Sequence, residues 1–208
     1  MRKMFRTLTI AIAVLTLSGC AAYSALEPKS TDVGQRLALT PDRTWSRASA
    51  QVQSDWAEVW TIDGPLLNSF RVAAGIESGK PLVARRGEAA KALPVFRKGM
   101  ALEDMVDLVQ STLANTAGAK DFVPISVRPE KVAGQDAVAF EFTYGTGTAG
   151  SSIETDRRAL GTAFEADGRL YVLLFEAAEV HYFEKLRPAA EAIIRSARLT
   201  GGGTAGKS

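Results

Sequence analysis

The chain has 208 residues, 25 of them basic and 23 acidic, and a formal net charge of +2. Three of the basic residues, Arg2, Lys3 and Arg6, lie before the single cysteine, Cys20. From Cys20 onward the chain therefore has 22 basic and 23 acidic side chains and a net charge of −1. A nucleic-acid-binding domain needs a clustered basic surface, so this near-neutral composition predicts no nucleic-acid partner.

The N-terminus has the three parts of an export signal: a basic start, an apolar stretch from Leu8 to Leu17, and small residues after it. A membrane-spanning helix needs roughly 20 apolar residues, and this stretch has about half that number. We therefore interpret it as a signal peptide that is cleaved, and not as a membrane span.

The segment Leu17-Ser18-Gly19-Cys20 resembles the lipobox of bacterial lipoproteins, in which a leucine lies three positions before an invariant cysteine. The resemblance implies cleavage between Gly19 and Cys20, a diacylglyceryl thioether on the Cys20 sulfur and a third acyl chain on the new amino group. Several acyl chains anchor a protein far more firmly than one. The alternative is an ordinary secretory signal in which Cys20 lies near the cleavage site by chance.

The residue after the cysteine bears on location. In proteobacterial lipoproteins an aspartate there tends to retain the protein at the inner membrane, and this chain has Ala21. For a diderm host the resemblance therefore implies an outer-membrane lipoprotein, which we expect to face the periplasm. Acylation of Cys20 would leave no thiol for a disulfide, a nucleophile or a zinc site.

We divide the chain into a signal peptide (1–19), a lipidated N-terminus with a flexible tether (20–35), a domain (36–199) and a disordered tail (200–208). The tether segment shows little hydrophobic periodicity, and the tail is rich in glycine. A domain of this length can bury about 70% of its unfolded surface.

Three segments of the domain have strand patterns. Apolar residues alternate with others from Phe70 to Ile76 and again from Val138 to Tyr144, as expected of half-buried strands. The continuous apolar run from Leu170 to Phe175 predicts a central strand covered on both faces.

The central strand follows Asp167-Gly168, a dipeptide typical of a two-residue hairpin turn. Its antiparallel partner is then about Ala159 to Ala166, and Gly145 to Ser152 is the loop that joins this partner to the preceding strand.

Two helices flank the strands. An apolar stripe with spacings of three and four runs from Leu102 to Leu113, with acidic residues on its other side. The second helix runs from about His181 to Arg195, with Pro188 allowed at a local start or a kink. Together these elements predict a single α+β domain, with a mostly antiparallel sheet and two main helices packed on it.

The segments EVWTIDGPLLNSFRV and LPVFRKGM, and the ending AFEADGRLYVLLFEAAEVHYFEKLRPAAEAIIRSARL, resemble the PsbP/Mog-like and DcrB-type α+β domains. The resemblance covers most of residues 50–199. It implies an antiparallel sheet with helices packed on it, and many members of these families are exported or lipid-anchored. The resemblance includes no catalytic signature, and a fold does not determine an activity.

No motif specifies a reaction, a metal or a cofactor. His181 is the only histidine, and one imidazole cannot build a histidine-rich metal site. The run from Gly145 to Gly150 lacks the Lys-Ser/Thr ending of a phosphate loop, which favours a hairpin loop. We therefore predict no catalytic residue, metal ligand or cofactor.

Two groups of side chains are candidates for ligand or partner contact. All three tryptophans, Trp45, Trp56 and Trp60, lie in one N-terminal span, where they could pack in the core or line an apolar site. Paired arginines occur at Arg85-Arg86 and Arg157-Arg158, and they could form an anion site if they converge. We take as contact candidates Trp56, Trp60, Arg157 and Arg158.

Two classes of function fit these observations. The first is a non-catalytic binding or accessory module of the cell envelope, attached to the membrane by Cys20 and contacting an envelope protein partner. The second is an envelope enzyme, or a small-ligand or lipid-binding protein, that uses a pocket in the α+β domain. The acid–base candidates of the enzyme alternative are Asp104, Asp107, Glu141 and His181.

Overall fold

The computed structural model of the chain describes residues 22–49, 56–84, 93–147 and 154–201. In these ranges the chain forms an eight-stranded sheet, a three-stranded sheet and two α-helices. The strands are β1 Tyr23–Leu26, β2 Thr31–Val33, β3 Leu37–Leu39, β4 Trp45–Ala48, β5 Glu58–Thr61, β6 Asn68–Glu77, β7 Ala119–Val132, β8 Gln135–Gly147, β9 Glu154–Ala166, β10 Arg169–Ala178 and β11 Arg198–Leu199. The helices are α1 Leu102–Ala117 and α2 Glu184–Arg195, and a π-type turn, Glu179–Phe183, precedes α2.

The large sheet has the strand order β1-β4-β5-β6-β10-β9-β8-β7, and all neighbouring strands are antiparallel. One face packs against α1, and the other packs against α2 and the small sheet β11-β3-β2. The predicted single α+β domain, a mostly antiparallel sheet with two helices packed on it, is confirmed.

The three strand patterns are also confirmed, as β6, β8 and β10. The central strand β10 lies between β6 and β9 and is buried along most of its length. The turn before it has positive φ at both Asp167 (53°) and Gly168 (70°), as a two-residue hairpin turn requires. β8 extends through Gly147, so the first three residues of the predicted loop, 145–147, belong to the strand, and residues 148–153 lie outside the described residues.

The prediction of a flexible tether at 20–35 is wrong for the described part of that segment. Strand β1 pairs with β4 at one edge of the large sheet, and β2 pairs with β3 in the small sheet. Val33 is fully buried in the core. Strands of three and four residues are too short to show periodicity. Strand β1 depends on β4, which is not its neighbour in sequence, and the small sheet that contains β2 also includes β11 near the C-terminus, paired with β3.

The second helix begins at Glu184, three residues later than expected. Val180 is extended (φ −73°, ψ 123°), and His181 has the left-handed φ of 75°, so neither has a helical backbone. Pro188 lies inside α2 without ending it.

Gly161 of β9 is required by a close approach of its neighbours. A Cβ at this position would lie 2.5 Å from the Leu173 carbonyl oxygen and 2.7 Å from the Phe140 ring. We expect Gly161→Ala to lower the free energy of unfolding by about 1–3 kcal/mol, because ring and backbone must shift in a packed core. Urea unfolding monitored by circular dichroism measures this.

The matched control is Gly145→Ala in β8, where a Cβ would meet only the Lys120 carbonyl oxygen at 4.0 Å. We expect a change within about 1 kcal/mol there. Equal effects of the two substitutions would contradict the close-packing argument for Gly161.

Candidate ligand-binding pocket

A pocket of about 520 Å³ opens at one end of the large sheet, on the face that packs against α1. The turn between β5 and β6, the C-terminal end of α1 and the ends of β8 and β9 surround it. Four ionisable side chains line it, and each lies on a different strand. The lining residues are Pro65, Leu66, Arg71, Ala117, Tyr144, Thr146, Gly147, Thr155, Arg157 and Glu176.

The antiparallel register brings the ionisable side chains together. Tyr144 of β8 lies directly opposite Arg157 of β9, and Glu176 of β10 lies opposite Ser69 of β6. Directly opposed residues of an antiparallel pair point to the same face, and Arg71, two residues after Ser69, points to that face as well. A polar cluster is thereby embedded in an otherwise apolar surface.

Glu176 is the centre of this cluster and is almost fully buried. Its Oε1 accepts hydrogen bonds from Arg71 Nη2 at 2.6 Å and Ser69 Oγ at 3.1 Å, and its Oε2 accepts one from the Tyr144 hydroxyl at 2.6 Å. Arg157 Nη2 lies 3.5 Å from Oε1. A buried carboxylate needs such partners, because an unpaired buried charge is very costly.

The cluster shifts the ionisation of its members. Burial by itself would raise the pKa of Glu176, but Arg71, Arg157 and the hydrogen bonds from Tyr144 and Ser69 outweigh it, and the pKa lies below its ordinary value. Burial and the neighbouring Glu176 carboxylate strongly raise the pKa of Tyr144. Glu176 is therefore ionised and Tyr144 protonated at neutral pH.

Arg157 connects the cluster to the rim of the pocket. Its Nη1 donates a hydrogen bond of 2.6 Å to the carbonyl oxygen of Leu66, in the turn between β5 and β6. Burial would lower the pKa of Arg157, but Glu176 and Tyr144 raise it above its ordinary value. Arg71 is held in turn by Trp56, whose ring centre lies 5.9 Å from the guanidinium carbon.

A second ionic network lies on the opposite face of the sheet. The buried Glu141 pairs with Arg158 of β9 and, at 2.6 Å, with Arg187 of α2. The Arg158 guanidinium also lies over the Phe183 ring, 4.7 Å from its centre, and pairs with Glu184 at 3.0 Å. Because these contacts join α2 to the sheet, we assign this network a role in packing.

The four predicted contact residues are therefore split between the two faces. Trp56 and Arg157 belong to the face with the pocket, whereas Trp60 and Arg158 belong to the face covered by α2. Trp56 and Trp60 do not share a face, because Trp56 precedes β5 and the alternation of that strand does not extend to it. Arg157 and Arg158 do not converge, because consecutive strand residues point to opposite faces.

All three tryptophans are buried, Trp45 and Trp60 in the core beneath α2 and Trp56 in the core beneath α1. Arg85-Arg86 lies outside the described residues.

The four acid–base candidates do not converge. Asp104 and Asp107 are exposed on α1, and Glu141 is buried on the opposite side of the sheet in its pairs with Arg158 and Arg187. His181 is exposed, with its ring edge-on to Tyr182 at 5.1 Å.

Sequence reasoning missed Ser69, Arg71, Tyr144 and Glu176 as members of the site. One observation could have found Glu176: a carboxylate directly after the run LYVLLF must be buried with the strand, and it then needs a partner. Which residues supply the partners depends on strand order and register, which the sequence does not contain.

Among the described residues, no group of three or more His, Cys, Asp or Glu side chains is placed to hold a metal ion. In the same ranges, no helix has the length and apolar character to cross a membrane.

Neither a protein-family profile nor a curated protein sequence matches the chain. The solution structure of cyanobacterial PsbP (CyanoP) from Synechocystis is similar, with a TM-score of 0.52 and 13% identity over 92% of this chain and 98% of that one. A crystal structure of a Pseudomonas aeruginosa protein of unknown function has a TM-score of 0.44 and 10% identity, over 82% of this chain and 95% of that one. The similarity to CyanoP shows that the chain has a PsbP-like α+β fold, as the resemblance in its sequence implied.

Proposed function

We propose that this chain is a lipid-anchored binding or accessory module of the bacterial cell envelope, attached through Cys20 to the periplasmic face of the outer membrane. The observation on which this rests is the lipobox, Leu17 to Cys20, followed within a few residues by a folded domain. Ala21, in place of an aspartate, supports the outer membrane as the location.

The short distance between anchor and domain makes the proposal specific. Strand β1 begins at Tyr23, three residues after Cys20, and three extended residues reach about 10 Å. The edge of the large sheet formed by β1 would therefore lie close to the lipid headgroups. A partner of the domain would be bound near the membrane surface.

A binding role, and not catalysis, is supported by the separation of Asp104, Asp107, Glu141 and His181 described above. General acid–base catalysis requires such groups within hydrogen-bond reach of one substrate. The buried charges at the pocket are instead held in mutual ion pairs, which suits a rigid recognition surface.

We expect Cys20→Ser to abolish labelling of the chain by a fatty-acid analogue, because the serine hydroxyl is not a substrate for thioether formation. The unlipidated protein should also be found in the soluble fraction or as a precursor whose signal peptide is not cleaved. Metabolic labelling followed by fractionation measures both. The matched control is Ser24→Ala, an exposed change in β1 that leaves the lipobox intact; labelling that survives in Cys20→Ser would contradict lipid anchoring.

The existence of a specific protein partner is tested by cross-linking envelopes that contain the lipidated protein and then purifying that protein with whatever is attached to it. The proposal predicts enrichment of a specific envelope protein relative to its abundance. Recovery of bulk outer-membrane proteins in proportion to their abundance would argue against a specific protein partner.

A second candidate is a small-ligand-binding protein of the envelope. The observation that favours it is the pocket of about 520 Å³ with Arg71 and Arg157 in its wall. Pockets that bind small molecules commonly have volumes of roughly 300–1,000 Å³ and a few convergent polar groups.

A further inference from the structure

We infer that the pocket beside α1 binds the phosphate or carboxylate group of a small ligand, through the guanidinium groups of Arg71 and Arg157. This inference deepens the binding role proposed above and rests on it. It is independent of how the domain is attached to the membrane.

The first argument is charge. Among the residues that line the pocket, two are arginines, and Glu176 is the one carboxylate. This set has a net charge of +1, in a concave wall where burial weakens screening by water. A bound anion would neutralise the remaining positive charge of these side chains.

The second argument is the number of hydrogen-bond donors. Each guanidinium group has five N–H donors, whereas a carboxylate has two oxygens. The oxygens of Glu176 already accept from Ser69 and Tyr144 as well as from Arg71. The two guanidinium groups therefore have more donors than Glu176 can accept, and a second oxyanion is the group that arginine pairs best.

The third argument is that the arginines are held in place before a ligand arrives. Arg157 is fixed by the Leu66 carbonyl at 2.6 Å and lies 3.5 Å from Glu176, so it is only loosely committed to that carboxylate. Arg71 is fixed by Ser69 Oγ at 3.1 Å and by the Trp56 ring. Side chains that are already ordered lose little conformational entropy on binding.

The fourth argument is the rim. The exposed Thr155 and the partly buried Thr146 lie at the ends of β9 and β8, where they line the pocket. Hydroxyl groups can donate to a bound oxyanion. Their strand positions also allow the charge at the rim to be changed without altering the buried cluster.

The test is calorimetric titration of the full-length chain, in a non-ionic detergent, with inorganic phosphate and separately with succinate at constant ionic strength. We expect saturable binding of at least one anion, with a Kd in roughly the micromolar-to-millimolar range. Thr155→Glu should weaken binding and Thr155→Arg should strengthen it, each by about three- to tenfold, because a unit charge is added near the bound anion.

The matched controls are Ser24→Glu and Ser24→Arg, which change the net charge equally at an exposed position on the opposite edge of the sheet. These should leave the Kd unchanged within about twofold, because exposed charges farther apart than a Debye length are largely screened. Arg157→Gln, confirmed to be folded by circular dichroism, should abolish binding. If Arg157→Gln does not fold, the opposite effects of Thr155→Glu and Thr155→Arg on the Kd test the inference by themselves.

A further titration distinguishes the source of the anion. The micelles are doped with phosphatidylglycerol. Displacement of the soluble anion would assign the pocket to a lipid headgroup, whereas an anion that stays bound would assign the pocket to a small soluble ligand. Both results support the site. Absence of saturable binding for both anions, or equal effects at Thr155 and Ser24, would overturn the inference. The unlipidated Cys20→Ser chain should bind the anion as tightly as the lipidated chain. Anion binding therefore tests the pocket, and fatty-acid labelling tests the anchoring proposal separately.

Discussion

Glu176→Gln lowers the free energy of unfolding at neutral pH by about 3–5 kcal/mol, the usual cost of removing one partner from a buried ion pair. The substitution keeps the shape of the side chain but removes its charge. Arg71 and Arg157, both largely buried, then lose their shared counterion. Urea unfolding monitored by circular dichroism at pH 7 measures the difference.

The same pair of proteins should respond differently to acid. The pKa of Glu176 is lower in the folded chain than its ordinary value, so its contribution to stability is complete above the ordinary carboxyl pKa, about 4.3. That contribution is lost as the pH falls through the lower pKa of the folded state. The difference in stability between wild type and Glu176→Gln should therefore shrink below about pH 4.

The control for Glu176 is Glu77→Gln. Glu77 pairs with Arg169 at 2.7 Å, but its side chain is 58% exposed. Ion pairs at the surface contribute about 0–1 kcal/mol, so we expect a small effect. A loss below about 1 kcal/mol for Glu176→Gln, or a difference from wild type that does not change with pH, would contradict the role given to this cluster.

Trp60→Ala should lower the free energy of unfolding by about 3–5 kcal/mol. Trp60 is fully buried, stacks on Phe70 at 5.8 Å between ring centres, and donates its indole N–H to Glu58 at 3.0 Å. The substitution leaves a large cavity and removes a hydrogen bond from a buried carboxylate. Because the ring lies in the core beneath α2, this side chain stabilises the fold.

Two further variants test that assignment. Trp60→Phe keeps an aromatic ring in the stack and should cost clearly less than Trp60→Ala. Val180→Ala, at a side chain that is 82% exposed, should change stability by less than about 0.5 kcal/mol. Chemical unfolding of all three variants gives the comparison; a loss for Trp60→Ala no larger than that for Val180→Ala would contradict a core position.

The fold could be predicted to a large extent because its central elements have strong local patterns. The alternation in β6 and β8, the apolar run of β10 and the Asp167-Gly168 turn are all present in short stretches of sequence, and the structure has each of them. The short N-terminal strands could not be predicted, because β1 to β3 have three or four residues each. Too few residues are present there for a period to be recognised.

The candidate site could be predicted only in part. Arg157 and Trp56 were among the contact candidates, and both are near the pocket, but their sequence neighbours Arg158 and Trp60 are on the other face. Residues that are close in sequence therefore suggested shared sites, but the structure places these residues on opposite faces of the sheet. Glu176, Arg71 and Tyr144 come from strands β10, β6 and β8 and meet only in the assembled sheet.

The sequence alone determined the class of fold and the prediction of a lipid anchor at Cys20, because periodicity, turn residues and the lipobox are properties of consecutive residues. The tertiary structure decided which polar side chains share a pocket and which stabilise the packing of α2. It did so because the strand order β6-β10-β9-β8 and its register place residues up to 107 positions apart, such as Ser69 and Glu176, within hydrogen-bond distance. Such proximity follows from pairing between strands, which no local pattern encodes.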